Sequence, residues 1–425
     1  MAAERSRRLP SAVAVLLVSL ALLNFGLKYL TSILLANTLG VDHYELYAVP
    51  VASVAFFSTL VELGLGKQGI RLIPQYIEAE QLRLAAGYWR FAMRVVLALA
   101  LLVGLLVTLL PGLNAFASDE AMFLLPIVAL SGAGAELVLA CGAAILATVV
   151  VRVVVPGVLL GYVLWASQLA APGVLTPSTA VLAYGAGWLS ALVVLVVAFT
   201  IIAPRPVLHG PSEYTVGPWL RGGLGFLGVA IAISALIDGT VALVEFASLD
   251  PADISIYAVC IETGGFVFIL VKSLDKFYLQ RISALLSRKE LGEIHRIRRR
   301  RALLMLAICV SFCATIIALG RPLLASFGAG FERGYFALCC VAIATSAWTL
   351  TSLSQWLIAF IEGPARALRI TMGGVFAAYT GILVLGPSQG LMGVALAYAV
   401  MVTVMSVLLE IRARSVLETL AQHSA

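Results

Sequence analysis

The stretch LLNFGLKYLTSILLANTLG, residues 22–40, reads as the interior of a membrane span, yet it carries a cation, Lys28. A charge at that depth costs about 2.5–3.5 kcal/mol even on the mildest insertion scale. The stretch therefore assigns the class of the chain and raises the question of what the lysine does. Composition agrees with the class: of 425 residues, 61% are hydrophobic and only 12% charged, against roughly 25% charged in a soluble domain. Most of the chain has no water-facing surface to cover, so this is an integral membrane protein.

Apolar runs long enough to cross a core of about 30 Å occur at 11–37, 46–65, 91–110, 121–148, 153–171, 179–203, 220–246, 254–274, 302–319, 335–361, 368–385 and 391–411. Twelve helices are predicted, because at these lengths only bonding within a segment satisfies the backbone in lipid. The expected fold class is an all-α polytopic membrane protein. Arg5, Arg7 and Arg8 precede the first span, and placing them in the cytoplasm makes the loops alternate. Of 28 Lys and Arg, only Arg321, Arg333 and Lys28 then fall elsewhere. The bias predicts a plasma (inner) membrane protein with both termini cytoplasmic. The RSRR and SLA segments imitate a signal peptide, but the apolar run continues past Leu35, so the first helix is expected to be retained.

A shift of 210 residues lays NTLGVDHYELYA (37–48) over ASLDPADISIYA (247–258), and then Arg71 over Arg281, Glu80 over Glu290 and Arg90 over Arg300. The matches divide the chain into six-helix lobes, 1–208 and 209–425, related by a pseudo-twofold axis along the membrane normal. The same offset sets Lys28 on Asp238 and Glu62 on Lys272. Ionisable residues within spans usually face a wet cavity and find a partner. Three roles compete for Lys28: snorkelling, a structural ion pair with Asp238 or Glu62, and a functional charge in a transport cavity. Snorkelling is disfavoured because Asn37 lies about 13 Å away along the helix. The cavity role is preferred, with the ammonium as a point contact for phosphate.

Glu62, Glu136 in SGAGAELVLACG and Glu262 in CIETGGF are candidates for ion coupling, since a buried carboxyl exchanges protons readily. The glycines beside Glu136 and Glu262 also suit close helix packing around a hydrogen-bonded carboxyl. Glu245 and Glu362 are expected near the interfaces. The six cysteines all lie in spans and read as small buried hydrophobes, and no histidine lies in a span, so neither a metal nor another cofactor is expected. HRIRRRR (295–301) could suit nucleic acid, but beside a span it reads as a topology determinant in contact with anionic membrane lipids. GLGFLG (223–228) follows no strand, and no P-loop or catalytic nucleophile is present. The expectation is a transporter and not an enzyme.

ILLANTLGVDHYELYAVPVASVAFFSTLVELGLGKQGIR resembles the opening of polysaccharide and O-antigen flippases of the multidrug/oligosaccharidyl-lipid/polysaccharide exporter superfamily. The likeness lies in Leu39, Gly40, Asp42, Tyr44, Tyr47, Gly64, Gly66 and Arg71, and later in Phe327, Gly328 and Phe331. It implies alternating access by two lobes that move a polyprenyl-pyrophosphate-linked sugar to the outer leaflet. Glycan polymerase or ligase machinery would act alongside. By that likeness Lys28 is the one residue carried over as a mid-depth contact for the pyrophosphate; the repeat offset sets Asp238 on the other wall of the cavity, and Arg71, Arg90, Lys272 and Lys276 are expected at the inner mouth to receive the headgroup. The acids outnumber Lys28 within the spans, which keeps a second expectation open: a cation-coupled multidrug antiporter of the same superfamily.

Overall fold

The computed structural model describes residues 2–110, 119–169, 173–268, 278 and 291–424. All regular structure among them is helical. The chain divides into two compact units, Met1–Glu245 and Phe246–Ala425. The first holds α1 (Ala2–Leu39), α2 (Glu45–Val61), α3 (Leu65–Glu78), α4 (Leu82–Leu109), α5 (Asp119–Ala140), α6 (Ala144–Val149), α7 (Val155–Gln168), α8 (Pro177–Ile202), the short α9 (Arg205–His209) and α10 (Val216–Leu243). The second holds α11 (Pro251–Gly264), α12 (Leu291–Ala325), α13 (Tyr335–Ile361) and α14 (Pro364–Ser424).

Each predicted span has a counterpart in these elements. α14 accounts for two of them, because its path reverses at Gly390, where φ is 59° and ψ is −146°. The eighth span begins with α11 and leaves the described residues after Phe268. Large aliphatic side chains stand on the outside of the helices: on α4, Leu101, Leu105 and Leu109 are 56%, 55% and 67% exposed. In water such a stripe would be an aggregation surface; in hydrocarbon it costs nothing.

α4 and α12 begin well before their expected spans, at Leu82 and Leu291, and the limits of the fourth and fifth spans move for backbone reasons. The fourth span was expected to reach residue 148, but α5 stops at Ala140 and the chain turns through Gly142, at φ +93°. The fifth then starts early and runs from Ala144 to Gln168 as one span, with a π-helical turn, Val150–Val154, inside it. Pro156 has no N–H to give to Arg152, and the wider turn absorbs the lost bond. Arg152 therefore sits within the helix and not in a cytoplasmic loop.

The seventh predicted span, α10, packs on α2 and α3 within the first unit. Compactness thus divides the chain at residue 245. The boundary expected from the 210-residue offset is 208.

The interior is assembled from small residues at helix crossings and a few large anchors. Tyr88, Trp219 and Leu65 are each at most 1% exposed and share a cluster with Ile73, Ala92 and Leu137. Tyr88 and Trp219 meet edge to face at 5.2 Å, and the Trp219 indole donates to Tyr76 Oη at 3.0 Å. The linker between α8 and α10 is fastened to α4. Arg90 donates to the carbonyls of Leu208 (2.6 Å) and Gly210 (3.1 Å) and to Ser212 Oγ, while Trp89 donates to the carbonyl of Val207 at 2.9 Å.

Candidate functional site

The second predicted span does not run straight. α2 ends at Val61 and α3 begins at Leu65, with a bend of 43° between them. The break is made by Leu63 and Gly64, both left-handed at φ 48° and 66°. Gly64 is required there twice over. Its φ suits glycine, and a Cβ would press into the carbonyl oxygen of Gly223 and stand 2.7 Å from the backbone nitrogen of Leu227, both on α10. Leu63 pays for the left-handed conformation without that excuse, at about 1–2 kcal/mol. Such strain persists where the surroundings over-determine it, and broken helices in transporters mark the places where ions and substrates bind.

Glu62 sits on this break, and α5 crosses beside it. A Cβ on Gly132 would collide with Glu62 Oε1, and a Cβ on Gly66 would collide with Glu136 Oε2. Each carboxylate thus lies against the other helix in a space left by a glycine. Gly132 and Glu136 are one turn apart on α5, so the α5 face that receives Glu62 also presents Glu136. The two carboxylates are close enough to repel, and Lys67 acts on Glu62 as well. Both glutamates are half-buried.

The floor of the site is rigid. Tyr88 Oη donates to the carbonyl of Leu65 at 2.6 Å and lies 3.4 Å from Gln68 Oε1. Gln68 is buried, and its amide fills the space over Gly222 on α10. The first turn of α3 is therefore pinned from α4 and α10 while Glu62 projects beside it.

Of the residues singled out from the sequence, the structure brings together Glu62 and Glu136. It does not join Lys28 to Asp238. Lys28 stands exposed on α1, which packs chiefly on α7 and the π-turn, whereas Asp238 belongs to α10, which packs on α2 and α3. Asp238 accepts from Ser234 Oγ at 3.0 Å and interacts electrostatically with Tyr184. Arg71 is exposed on α3. Arg90 is committed to the α8–α10 linker, where it grips the carbonyls of Leu208 and Gly210 around the end of α9. Glu262 is half-buried on α11 in the second unit. Lys272 and Lys276 lie outside the described residues.

Several residues escaped the sequence reading. Glu45, at the start of α2, is only 7% exposed, and its place in a turn after Asp42 gave no sign of that. Arg301, last of the HRIRRRR run, is 2% exposed and donates to Ser352 Oγ at 2.7 Å. Its only signal was its position against the apolar run that follows. Gln68 could have been found from Gly64, one turn before it and likewise against α10.

No protein-family model and no curated protein matches the chain. Solved structures do. One is the inward-facing conformation of a multidrug resistance MATE family transporter of the MOP superfamily, with a TM-score of 0.73 and 14% identity, over 97% of this chain and 100% of that one. Another is a mutant of the Vibrio cholerae MATE transporter VcmN, at TM-score 0.63 and 16% identity over 96% and 98%. A third, the outward-facing conformation of a MATE family transporter, gives TM-score 0.57 and 15% identity over 96% of each chain. This chain, an all-α multi-pass membrane protein, has the fold of the MATE transporters.

Proposed function

We propose that the protein is a secondary transporter working by alternating access, and that it is a cation-coupled exporter of small organic molecules. The observation that carries the coupling is the meeting of Glu62 and Glu136 at the α2–α3 break. Two carboxylates in one half-buried site repel each other, and a single proton or monovalent cation relieves the repulsion. Binding and release of that cation changes what holds α3 against α5, which is how an ion gradient acts on a helix that is already broken. The fold shared with MATE transporters supports the same reading.

The test is efflux of a fluorescent organic cation from proteoliposomes under an imposed proton or sodium gradient. Glu62→Gln and Glu136→Gln should each abolish gradient-driven efflux while leaving expression and folding intact. The double variant should be no worse than either single one, because the site acts as a unit. Efflux that stays coupled in both single variants would remove the carboxylates from the mechanism.

A second reading, translocation of a polyprenyl-pyrophosphate-linked oligosaccharide, is favoured by Lys28, a cation exposed within the first span, and by the flippase-like opening of the chain. In it, the plasma membrane is the site of action and both termini are cytoplasmic. Lipid-linked oligosaccharide accumulating in a deletion strain, together with loss of surface glycan and no change in drug sensitivity, would put this reading first.

A further inference from the structure

The second unit carries a groove that the transport reading does not use. α12 forms one wall at Arg298 and Arg299, α14 the other at Glu410 and Arg414, and α13 the floor at Leu350 and Ser354. It encloses about 540 Å³. Four guanidinium groups border it, those just named and Arg301, against the carboxylates of Glu410 and Glu418, so the lining is net positive.

The polar end is a built site. Arg298 reaches both oxygens of Glu410 at 3.1 and 3.2 Å, Arg414 adds a bond at 2.8 Å, and Ser354 Oγ donates to the same carboxylate at 2.5 Å. Glu410 thereby fixes the two walls and the floor at one level. Arg301 is held from beneath by Ser352 Oγ and the carbonyls of Leu350 and Thr349. Arg299 is exposed at the rim. Among the described lining residues, four guanidinium groups face two carboxylates, Glu410, shared between Arg298 and Arg414, and Glu418.

An apolar track continues from it. Ser354, Leu350, Ala347 and Ile343 recur at helical spacing along one face of α13; Leu350 and Ala347 are half-buried and Ile343 is 52% exposed. On α12 the sequence turns apolar directly after Arg301, and Leu306 is 47% exposed; on α14, Val407, one turn before Glu410, is 51% exposed. The charged and apolar zones therefore change over at the same level on all three helices. A ligand complementary to this surface has an anionic head and a hydrocarbon tail.

We propose that this groove binds one anionic phospholipid of the bilayer, its phosphodiester at the Arg298–Arg299 rim and an acyl chain along the α13 face. The charge complementarity selects the head, since guanidinium groups match phosphate oxygens, and the track below selects a lipid over free phosphate. The inference is independent of what the protein transports.

Native mass spectrometry of the full-length protein, exchanged into equimolar phosphatidylglycerol and phosphatidylcholine, tests it. One phosphatidylglycerol should be retained with about tenfold preference, the range expected from one or two charge-assisted contacts. Arg299→Gln should remove most of that preference and Arg299→Lys, which keeps the charge without the guanidinium fork, should keep part of it. Ala347→Phe, which fills the track, should lower retention of the lipid, and millimolar inorganic phosphate should not displace it. Equal retention of both lipids by the wild-type protein would overturn the proposal. So would retention unaffected by both Arg299→Gln and Ala347→Phe, and displacement by inorganic phosphate would reduce the site to one for the free anion. The wild-type lipid ratio decides even if the phenylalanine variant fails to fold.

Discussion

Replacing Gly64 by alanine puts one methyl group at the point where α2 breaks into α3. The residue is at φ +66°, and the new Cβ would meet backbone atoms of α10: the Gly223 carbonyl oxygen, and the Leu227 nitrogen at 2.7 Å, with Phe226 Cβ at 2.9 Å. A left-handed alanine costs about 1–2 kcal/mol, and forcing a methyl into a filled contact adds about 1–3 kcal/mol. The sum is about 2–5 kcal/mol, since backbone cannot swing aside as a side chain does. Gly225→Ala is the control, because on the same stretch of α10 its Cβ would meet nothing within 4 Å; alanine there is neutral or gains a few tenths to about 1 kcal/mol of helix propensity. The assay is the apparent melting temperature of detergent-purified protein, read alongside the efflux assay. A unit the size of the first one shifts by about 2–4 °C per kcal/mol, so Gly64→Ala should melt at least several degrees below both wild type and Gly225→Ala. Equal melting of the two alanine variants would show that the break is not packed against α10, and the geometry derived for Glu62 would go with it.

Three further outcomes are expected. Arg90→Ala should free the 203–215 linker and raise its rate of proteolytic cleavage, with a stability loss of about 2–4 kcal/mol for the charged bonds removed; Arg90→Lys should not restore it, because one ammonium does not span the carbonyls of Leu208 and Gly210. Arg412 bonds Glu362 in the short connection between α13 and α14, with Arg366 beside it, and holds its carboxyl below the usual carboxylate range. That group contributes stability above its ordinary unfolded value near pH 4.3 and loses it as pH falls through the lowered folded value, so the melting difference between wild type and Glu362→Gln should close on acidification; a difference that persists in full at pH 3 would contradict the pairing. Finally, Ser388→Cys, exposed beside the Gly390 reversal, should react with an impermeant maleimide in intact cells if the termini are cytoplasmic, whereas protection until lysis would invert the topology.

Membrane class, helix content and most span limits were legible in the chain itself, because apolar length and loop charge are local properties of consecutive residues. α13 begins and ends where its apolar run does, at Tyr335 and Ile361. Errors arose where backbone chemistry cut across hydropathy. Cys141–Gly142 turns the chain inside a run that remains apolar, and the π-turn before Pro156 carries Arg152 into a helix. The bend after Val61 is equally silent in hydropathy, although the glycines that follow mark a close approach.

The functional residues divide along the same line. That Glu62 and Glu136 are unusual follows from their place among apolar neighbours, since burying a charge is costly wherever it happens. That they meet depends on α2 breaking at Leu63 and Gly64, on Gly66 and Gly132 leaving room, and on α10 bracing the break, all contacts between residues far apart in sequence. The pairing of Lys28 with Asp238 expected from the offset shows the converse, for one stands on α1 and the other on α10, and these helices pack on different neighbours. Arg90, Arg298 and Arg301 look alike as positive loop charges, yet one clasps a linker, one fixes Glu410 and one is buried against α13. Charge and hydropathy are carried by each residue alone and so can be read from the chain; partners are set by which helices cross, and only the folded structure decides that.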